Sequence, residues 1–214
     1  MQAATVQPIT VDLDSFKQDC AALSPDIIVQ KYLIEGSSYF FESEYGPYEE
    51  FEFKKEMADC LGVHIRDIAI VGSGKLGFSL KPDRDNTRFY PYRKFDELYT
   101  ADANNKKSDI DVAIISSSLF DQQVKNVFEH TNSYQDINAG GRNQFAKYIV
   151  KGSINPETLP SGYVVSEAIN TARSQMIEKY GRDVNFFIYK SWFYFEKYHG
   201  NNINTIKLNM IASN

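Results

Sequence analysis

The chain has 214 residues, 43% of them hydrophobic, and 28 acidic residues outnumber 23 basic ones to give a formal net charge of -5. This composition predicts one domain with a substantial core, and the acidic balance argues against a protein that coats nucleic acid through a broadly basic surface. Cys20 and Cys60 match neither a metal-ligand spacing nor a disulfide framework, so we expect free thiols in a reducing compartment. The sequence has no signal-peptide pattern and no apolar run long enough to span a bilayer, so we expect a cytoplasmic protein with no membrane partner.

Helical patterns fill the first part of the chain. They cover residues 11–23, residues 24–41 with Ser24 and Pro25 at the helix start, and residues 47–62, where Gly62 ends the helix. We therefore predict a helical N-terminal extension over residues 1–62, which offers a surface for a protein partner. The remaining residues, 63–214, form the predicted core.

A short β-branched strand then feeds a glycine-rich turn in the sequence "IAIVGSGKLGF". The glycines that fit the dinucleotide pattern G-x-G-x-x-G are Gly72, Gly74 and Gly77. A dinucleotide fold also needs a second strand ending in an acid about 20 residues on, and the polar sequence after Phe78 contains none. The dinucleotide fold is therefore a less favoured alternative. A P-loop is excluded, because Ala69 stands where its first glycine belongs and Leu76 stands where it needs Ser or Thr.

A polar insertion over residues 81–107 follows the turn, and it is locally basic. We expect it to be mobile without a ligand and to order over the mouth of the site when an anionic ligand binds. Its basic residues are Arg84, Arg88, Arg93, Lys94, Lys106 and Lys107.

The next strand, "DIDVAII", carries two carboxylates on one face. Because side chains alternate along a strand, Asp109 and Asp111 point the same way, while Ile110 and Val112 point into the core. Two carboxylates so close together stay ionised at low cost only when a cation lies between them. Hard oxygen ligands select Mg²⁺ or Mn²⁺, although an isolated pattern of this kind is also typical of a solvated edge strand.

The rest of the chain adds helices over residues 116–131, 140–152 and 164–181, a strand over 184–191 and a short helix over 192–200. In the first of these helices we expect Ser118 and Asp121 to form a capping box and Phe128 to face inward. The aromatic cluster near the end is mostly core, and it contains candidates for stacking on a base, namely Tyr189, Trp192 and Tyr194. The predicted fold class is α+β, a small mixed sheet flanked by helices.

The sequences "IAIVGS" and "SDIDVAII" together resemble the nucleotidyltransferase superfamily of the DNA polymerase beta type. Its signature is a hydrophobic strand ending in Gly-Gly or Gly-Ser, a strand carrying Asp-hydrophobic-Asp, and a third acid on a later strand. The insertion between the two motifs is longer here than in minimal members. "GSGKLGFSL" is also similar to bacterial relatives that make nucleotide second messengers or belong to antiphage and toxin–antitoxin loci.

This resemblance implies roles for individual residues. Gly72 and Ser73 would cradle the β- and γ-phosphates of a nucleoside triphosphate (NTP), because glycine permits close backbone approach and the serine hydroxyl donates to phosphate. Asp109 and Asp111 would hold two Mg²⁺ or Mn²⁺ ions for in-line displacement at the α-phosphorus. Lys75 either neutralises phosphate charge or is a solvated loop lysine.

The third acid falls in the sequence "GRDVNFFIYKS". If it is Asp183, the metal-binding triad is complete, and we favour that residue. If it is Asn185, two residues on and on the same face, an amide replaces a carboxylate and the second metal is held poorly. Asp183 would then be a turn residue after Gly181.

The resemblance predicts an enzyme that transfers a nucleoside monophosphate from an NTP to an acceptor, in bacterial defence. The acceptor would be an RNA end such as that of tRNA, a protein hydroxyl or a second nucleotide. The alternative is a nucleotidyltransferase fold with weak or no catalysis, acting as an NTP sensor or a partner-binding subunit such as an antitoxin.

Overall fold

The computed structural model describes residues 11–46, 48–156, 159–161, 163 and 165–212. Residues 1–10, on which the absence of a signal peptide partly rests, lie outside this range. Helices surround one mixed sheet, which confirms the predicted α+β class. No helix in the described part of the chain combines the length and the apolar character needed to cross a membrane.

The sheet that the structure describes contains four strands in the order β1-β2-β4-β3. Their bounds are Ile68–Val71 for β1, Ile110–Ile115 for β2, Ser153–Ile154 for β3 and Val184–Tyr189 for β4. β1 runs antiparallel to β2, β2 runs parallel to β4, and β3 runs antiparallel to β4. The end of β1 therefore lies beside the starts of β2 and β4.

The described helices fall into two groups along the chain. The first group comprises α1 (Leu13–Ala22), α2 (Pro25–Val29) with a π-helical turn (Gln30–Ile34), α3 (Tyr39–Glu44), α4 (Glu49–Leu61), a 3₁₀ turn (Ile65–Asp67) and α5 (Gly72–Leu76). The second group comprises α6 (Glu97–Ala101), α7 (Ser117–His130), α8 (Ala139–Lys151), α9 (Glu167–Tyr180) and α10 (Trp192–Ala212).

Both faces of the sheet are covered. Alternating strand residues such as Ile70, Val112 and Phe186 pack in one cluster with α3, α4, α7 and α9. The residues between them, including Val71 and Ala113, pack in a second cluster with α1, α2 and α10. The helices before residue 62 thus contribute to the core on both sides of the sheet.

The prediction of one continuous helix over residues 24–41 was wrong in its middle. The chain passes through a π-helical turn and then leaves the helix at Gly36, whose φ of +69° is left-handed. Ser38 donates its backbone N–H and its hydroxyl to the buried Glu50 carboxylate, both at 2.7 Å. These bonds fix a bend that separates α2 from α3.

Two expectations for α7 were also wrong. Ser116, not Ser118, caps the helix by accepting the Leu119 N–H at 3.3 Å. Phe128 is 47% exposed, because the buried face of α7 runs through Leu119, Phe120 and Val127. The inward stripe therefore ends one residue before Phe128.

The final helix is much longer than predicted. A helix end is predicted by the glycine and two asparagines at residues 200–202, yet α10 continues to Ala212. Ile203 and Ile206 extend its apolar stripe and are each 1% exposed, so tertiary packing outweighs the local signal.

The insertion is fastened to the core in its second half. Ser79 donates its N–H to the Arg93 carbonyl at 2.8 Å, and Phe78 forms a β-bridge with Lys94. Phe95 is buried and α6 follows it. Closure of the insertion over a bound ligand stays a prediction.

Candidate active site

The carboxylate pair lies where β2 begins. Asp109 directly precedes the strand, and Asp111 lies within it, paired in register with Val71 of β1 and Asn185 of β4. Both aspartates are half-buried, whereas Ile110 and Val112 are fully buried on the opposite face. The alternation therefore places the two carboxylates together on the α10 side of the sheet, as the sequence predicts.

Asn185 connects the two carboxylates. Its Nδ2 donates to Oδ2 of Asp109 at 2.5 Å and to Oδ1 of Asp111 at 3.1 Å. The amide nitrogen faces them because the opposite orientation would set the amide oxygen against two anions. An amide thus stands where the resemblance expects a third acid.

Asp183, the favoured candidate for that acid, is not brought to the pair. Its side chain is 56% exposed and forms an ion pair with Lys106 at 3.6 Å. Within the described residues, no group of three or more His, Cys, Asp or Glu side chains could hold a metal ion. The structure therefore assembles Asp109, Asp111 and Asn185, and it places Asp183 at the exposed entrance of β4.

The glycine turn lies against Asp111 of the carboxylate pair. Gly72 begins α5 with a φ of +67°, and a Cβ built on it would lie 2.6 Å from Oδ2 of Asp111. Only glycine both adopts this left-handed backbone readily and leaves room for the carboxylate. Ser73 follows, and the two residues line the same cavity as Asp111.

Replacing Gly72 by alanine should therefore disturb both backbone and site. We expect Gly72→Ala to lower the free energy of unfolding by about 1–3 kcal/mol and to displace the Asp111 carboxylate. Gly74→Ala is the matched control, because a Cβ there would come no closer than 3.8 Å to Phe95. Denaturant unfolding of both variants tests this, and equal free energies of unfolding would contradict it.

Lys75 does not face the turn. Its side chain is buried, and its Nζ donates to the backbone carbonyls of Glu35 at 2.8 Å and Gly36 at 2.5 Å. Burial lowers the pKa of Lys75 to about 8. This lysine ties α5 to the end of the π-helical turn, and the predicted phosphate contact is wrong for this arrangement.

The Lys75 amine should make stability depend on pH. Between pH 8 and 10.5 the unfolded chain binds a proton that the folded chain releases, so the contribution of Lys75 to the free energy of unfolding rises with pH. Below pH 8 the folded protein bears the full cost of the buried charge. Denaturant unfolding at several pH values should show wild type gaining stability relative to Lys75→Met across that window. A difference that stays flat would mean that the buried amine keeps its proton.

A cavity of about 420 Å³ opens beside the turn and Asp111, and Asp109 is not among its lining residues. Gly72, Ser73 and Asp111 form its polar end. Its other walls come from the π-helical turn, the strands, the insertion and α10, and include Leu33, Leu80, Lys81, Tyr90, Tyr189, Tyr198, His199, Asn202 and Ile206. Volumes of this size are typical of small-molecule sites, which combine apolar walls with a few placed polar groups.

The aromatic wall of the cavity is uncharged at neutral pH. Burial lowers the pKa of His199 to about 4, so its ring is neutral, and its Nε2 lies 3.4 Å from the Tyr189 hydroxyl. Of the aromatic residues predicted to stack on a base, Tyr189 lines this cavity, whereas Trp192 and Tyr194 are not among its lining residues.

Sequence reasoning missed several lining residues. Lys81 and Tyr90 come from the insertion, and Tyr198, Asn202 and Ile206 come from α10. The spacing of Ile203 and Ile206 was the signal that α10 continues, and with it the cavity wall.

Comparison of the chain with protein-family models, curated protein sequences and solved structures finds no match.

Proposed function

We propose that this chain is a metal-dependent nucleotidyltransferase, which moves a nucleoside monophosphate from an NTP to an acceptor hydroxyl. The observation that carries the proposal is the close approach of the glycine turn to Asp111 of the carboxylate pair. Gly72, Ser73 and Asp111 meet at the polar end of a cavity large enough for a nucleotide. The resemblance of both motifs to the polymerase-beta-type superfamily supports the same conclusion.

The donor set at the mouth fits one divalent cation. Asp109 and Asp111 supply carboxylate oxygens, which Mg²⁺ and Mn²⁺ prefer, and the glycine at position 72 keeps space beside Asp111 that a Cβ would fill. A cation held there would neutralise the triphosphate and stabilise the leaving pyrophosphate.

The protein's own residues would bind and orient the substrate. The Ser73 hydroxyl would donate to phosphate oxygens, the Lys81 ammonium would attract them, and the cavity wall formed by Tyr90 and α10 would hold the nucleoside. The acceptor oxygen bonds to the α-phosphorus as the α–β phosphoanhydride bond breaks. Pyrophosphate leaves, and the hydroxyl proton passes to solvent.

Incubation with labelled NTPs tests the activity. Purified protein is incubated with each labelled NTP and with Mg²⁺ or Mn²⁺. Three kinds of acceptor are added in separate mixtures, namely RNA ends including tRNA, protein from cell extract, and a second nucleotide. We expect release of pyrophosphate and label in one of these acceptors. Absence of both products from every mixture would overturn the proposed activity.

A second candidate function is an NTP sensor or partner-binding subunit, with the N-terminal helices as the partner surface. The observation that favours it is Asn185, which occupies the place of an acid. Calorimetry separates the two functions, because NTP binding without pyrophosphate release supports the sensor. The similarity of "GSGKLGFSL" to bacterial antiphage and toxin–antitoxin relatives suggests defence as the setting for either function.

A further inference from the structure

Asn185 is the residue that sets this site apart from a three-acid centre. It belongs to β4 and pairs in register with Asp111, and its amide nitrogen donates hydrogen bonds to both carboxylates. A neutral amide with two hydrogens can satisfy one oxygen of each aspartate at once. It therefore relieves the repulsion between the aspartates without a metal, whereas a carboxylate at the same position would increase it.

The two sides of Asp111 differ in consequence. Its Oδ1 accepts from Asn185 on the β4 side, and its Oδ2 lies toward Gly72 and the glycine turn. The cation that fits the Gly72 side is the one that would steady a triphosphate bound at Gly72 and Ser73. A second cation would need the β4 side, where Asn185 presents N–H donors instead of oxygen ligands.

We propose that the Asp109–Asp111 pair binds a single divalent cation, and that Asn185 excludes a second one while holding the pair together in the metal-free protein. This inference rests on the proposed function, since that function makes the pair a metal site. Asn185 is a positioning residue in this scheme, acting through the two aspartates.

The test measures binding of Mn²⁺ alone to the full chain. Equilibrium dialysis of wild type should give one Mn²⁺ per chain, and Asn185→Asp should give two, with the tighter site strengthened at least tenfold. Metal-free Asn185→Asp should melt at a lower temperature than wild type, because three carboxylates then share the site. Mn²⁺ should raise its melting temperature more than that of wild type.

Asn202→Asp is the matched control. It adds the same charge from α10, at a residue that lines the cavity together with Asp111. We expect it to leave the number of bound Mn²⁺ ions at one per chain.

The outcomes separate this inference from the proposed function. Two Mn²⁺ per wild-type chain, or no change in Asn185→Asp, would overturn the role of Asn185 and leave the proposed function standing. No Mn²⁺ on either wild type or Asn185→Asp would overturn the pair as a metal site, and with it the proposed function.

Discussion

Replacing either Asp109 or Asp111 by alanine should abolish metal-dependent pyrophosphate release. Each variant removes one of the two carboxylates on which the proposed cation depends, so both the neutralisation of the triphosphate and its alignment are lost. Loss of one such electrostatic contact costs about a hundredfold to a thousandfold in rate, and loss of the cation itself costs more. NTP titration in the presence of Mg²⁺ should show weaker binding by the same variants.

Folding should survive these substitutions. Both side chains are half-buried on the cavity side, whereas the fully buried Ile110 and Val112 of the same strand face away from the site. The melting temperature of each variant should therefore lie within a few degrees of that of wild type. A variant at either aspartate that fails to fold would indicate a structural role for the pair.

Asp183→Ala is the matched control for both variants. It removes a carboxylate that directly precedes β4, but the ion pair of Asp183 with Lys106 is exposed and lies outside the assembled site. We expect full activity from this variant. Loss of activity in Asp183→Ala would restore Asp183 as the third acid and would count against the arrangement around Asn185.

Strands β1, β2 and β4 and the carboxylate pair could be predicted because they depend on local pattern, whereas the two-residue strand β3 was missed. Alternation along "DIDVAII" is enough to put Asp109 and Asp111 on one face and Ile110, Val112 and Ile114 on the other. The glycine turn was recognisable for the same reason, since Gly72 follows a short buried strand. In each case a few neighbouring residues determine the result.

The third position of the site could not be settled this way, because it depends on the register between β2 and β4. These strands are separated by α7, α8 and α9, and only their pairing brings Asn185, rather than Asp183, against Asp111. The predicted contact of Lys75 with phosphate was wrong for a similar reason. Its direction is set by carbonyls of Glu35 and Gly36, about one-fifth of the chain away in sequence.

Arg182 is a buried cation that holds together three segments of the chain next to the site. Its guanidinium donates to both carboxylate oxygens of Asp96, at 2.9 and 2.7 Å, and to Glu44 at 2.6 Å. It also donates to the carbonyl of Ser108 at 3.2 Å, next to Asp109. The rings of Phe40 and Phe95 each lie 5.0 Å from its central carbon. One side chain thus joins α3, the insertion and the start of β2.

Asp96 is held in the same network. Burial alone would raise the pKa of its carboxyl, but hydrogen bonds from Arg182 and Ser108 outweigh this, so the pKa lies below its usual value. The stabilisation that results is present above the unfolded pKa and is lost as the pH falls through the folded pKa. Arg182 therefore contributes most at neutral pH, when Asp96 is ionised.

Replacing Arg182 by methionine should destabilise the protein by about 3–5 kcal/mol at pH 7, because it leaves the partly buried Asp96 carboxylate without its buried cation. For a chain of this size that corresponds to a fall of roughly 10 °C in melting temperature. The control is Lys190→Met, which breaks an exposed ion pair with Asp121 and should cost less than about 1 kcal/mol. Asp96→Asn in the Arg182→Met background should recover part of the loss, since it removes the unpaired charge. Denaturant unfolding of wild type and the three variants gives their free energies of unfolding. Equal losses for Arg182→Met and Lys190→Met would show that the buried network adds no more stability than an ordinary surface ion pair.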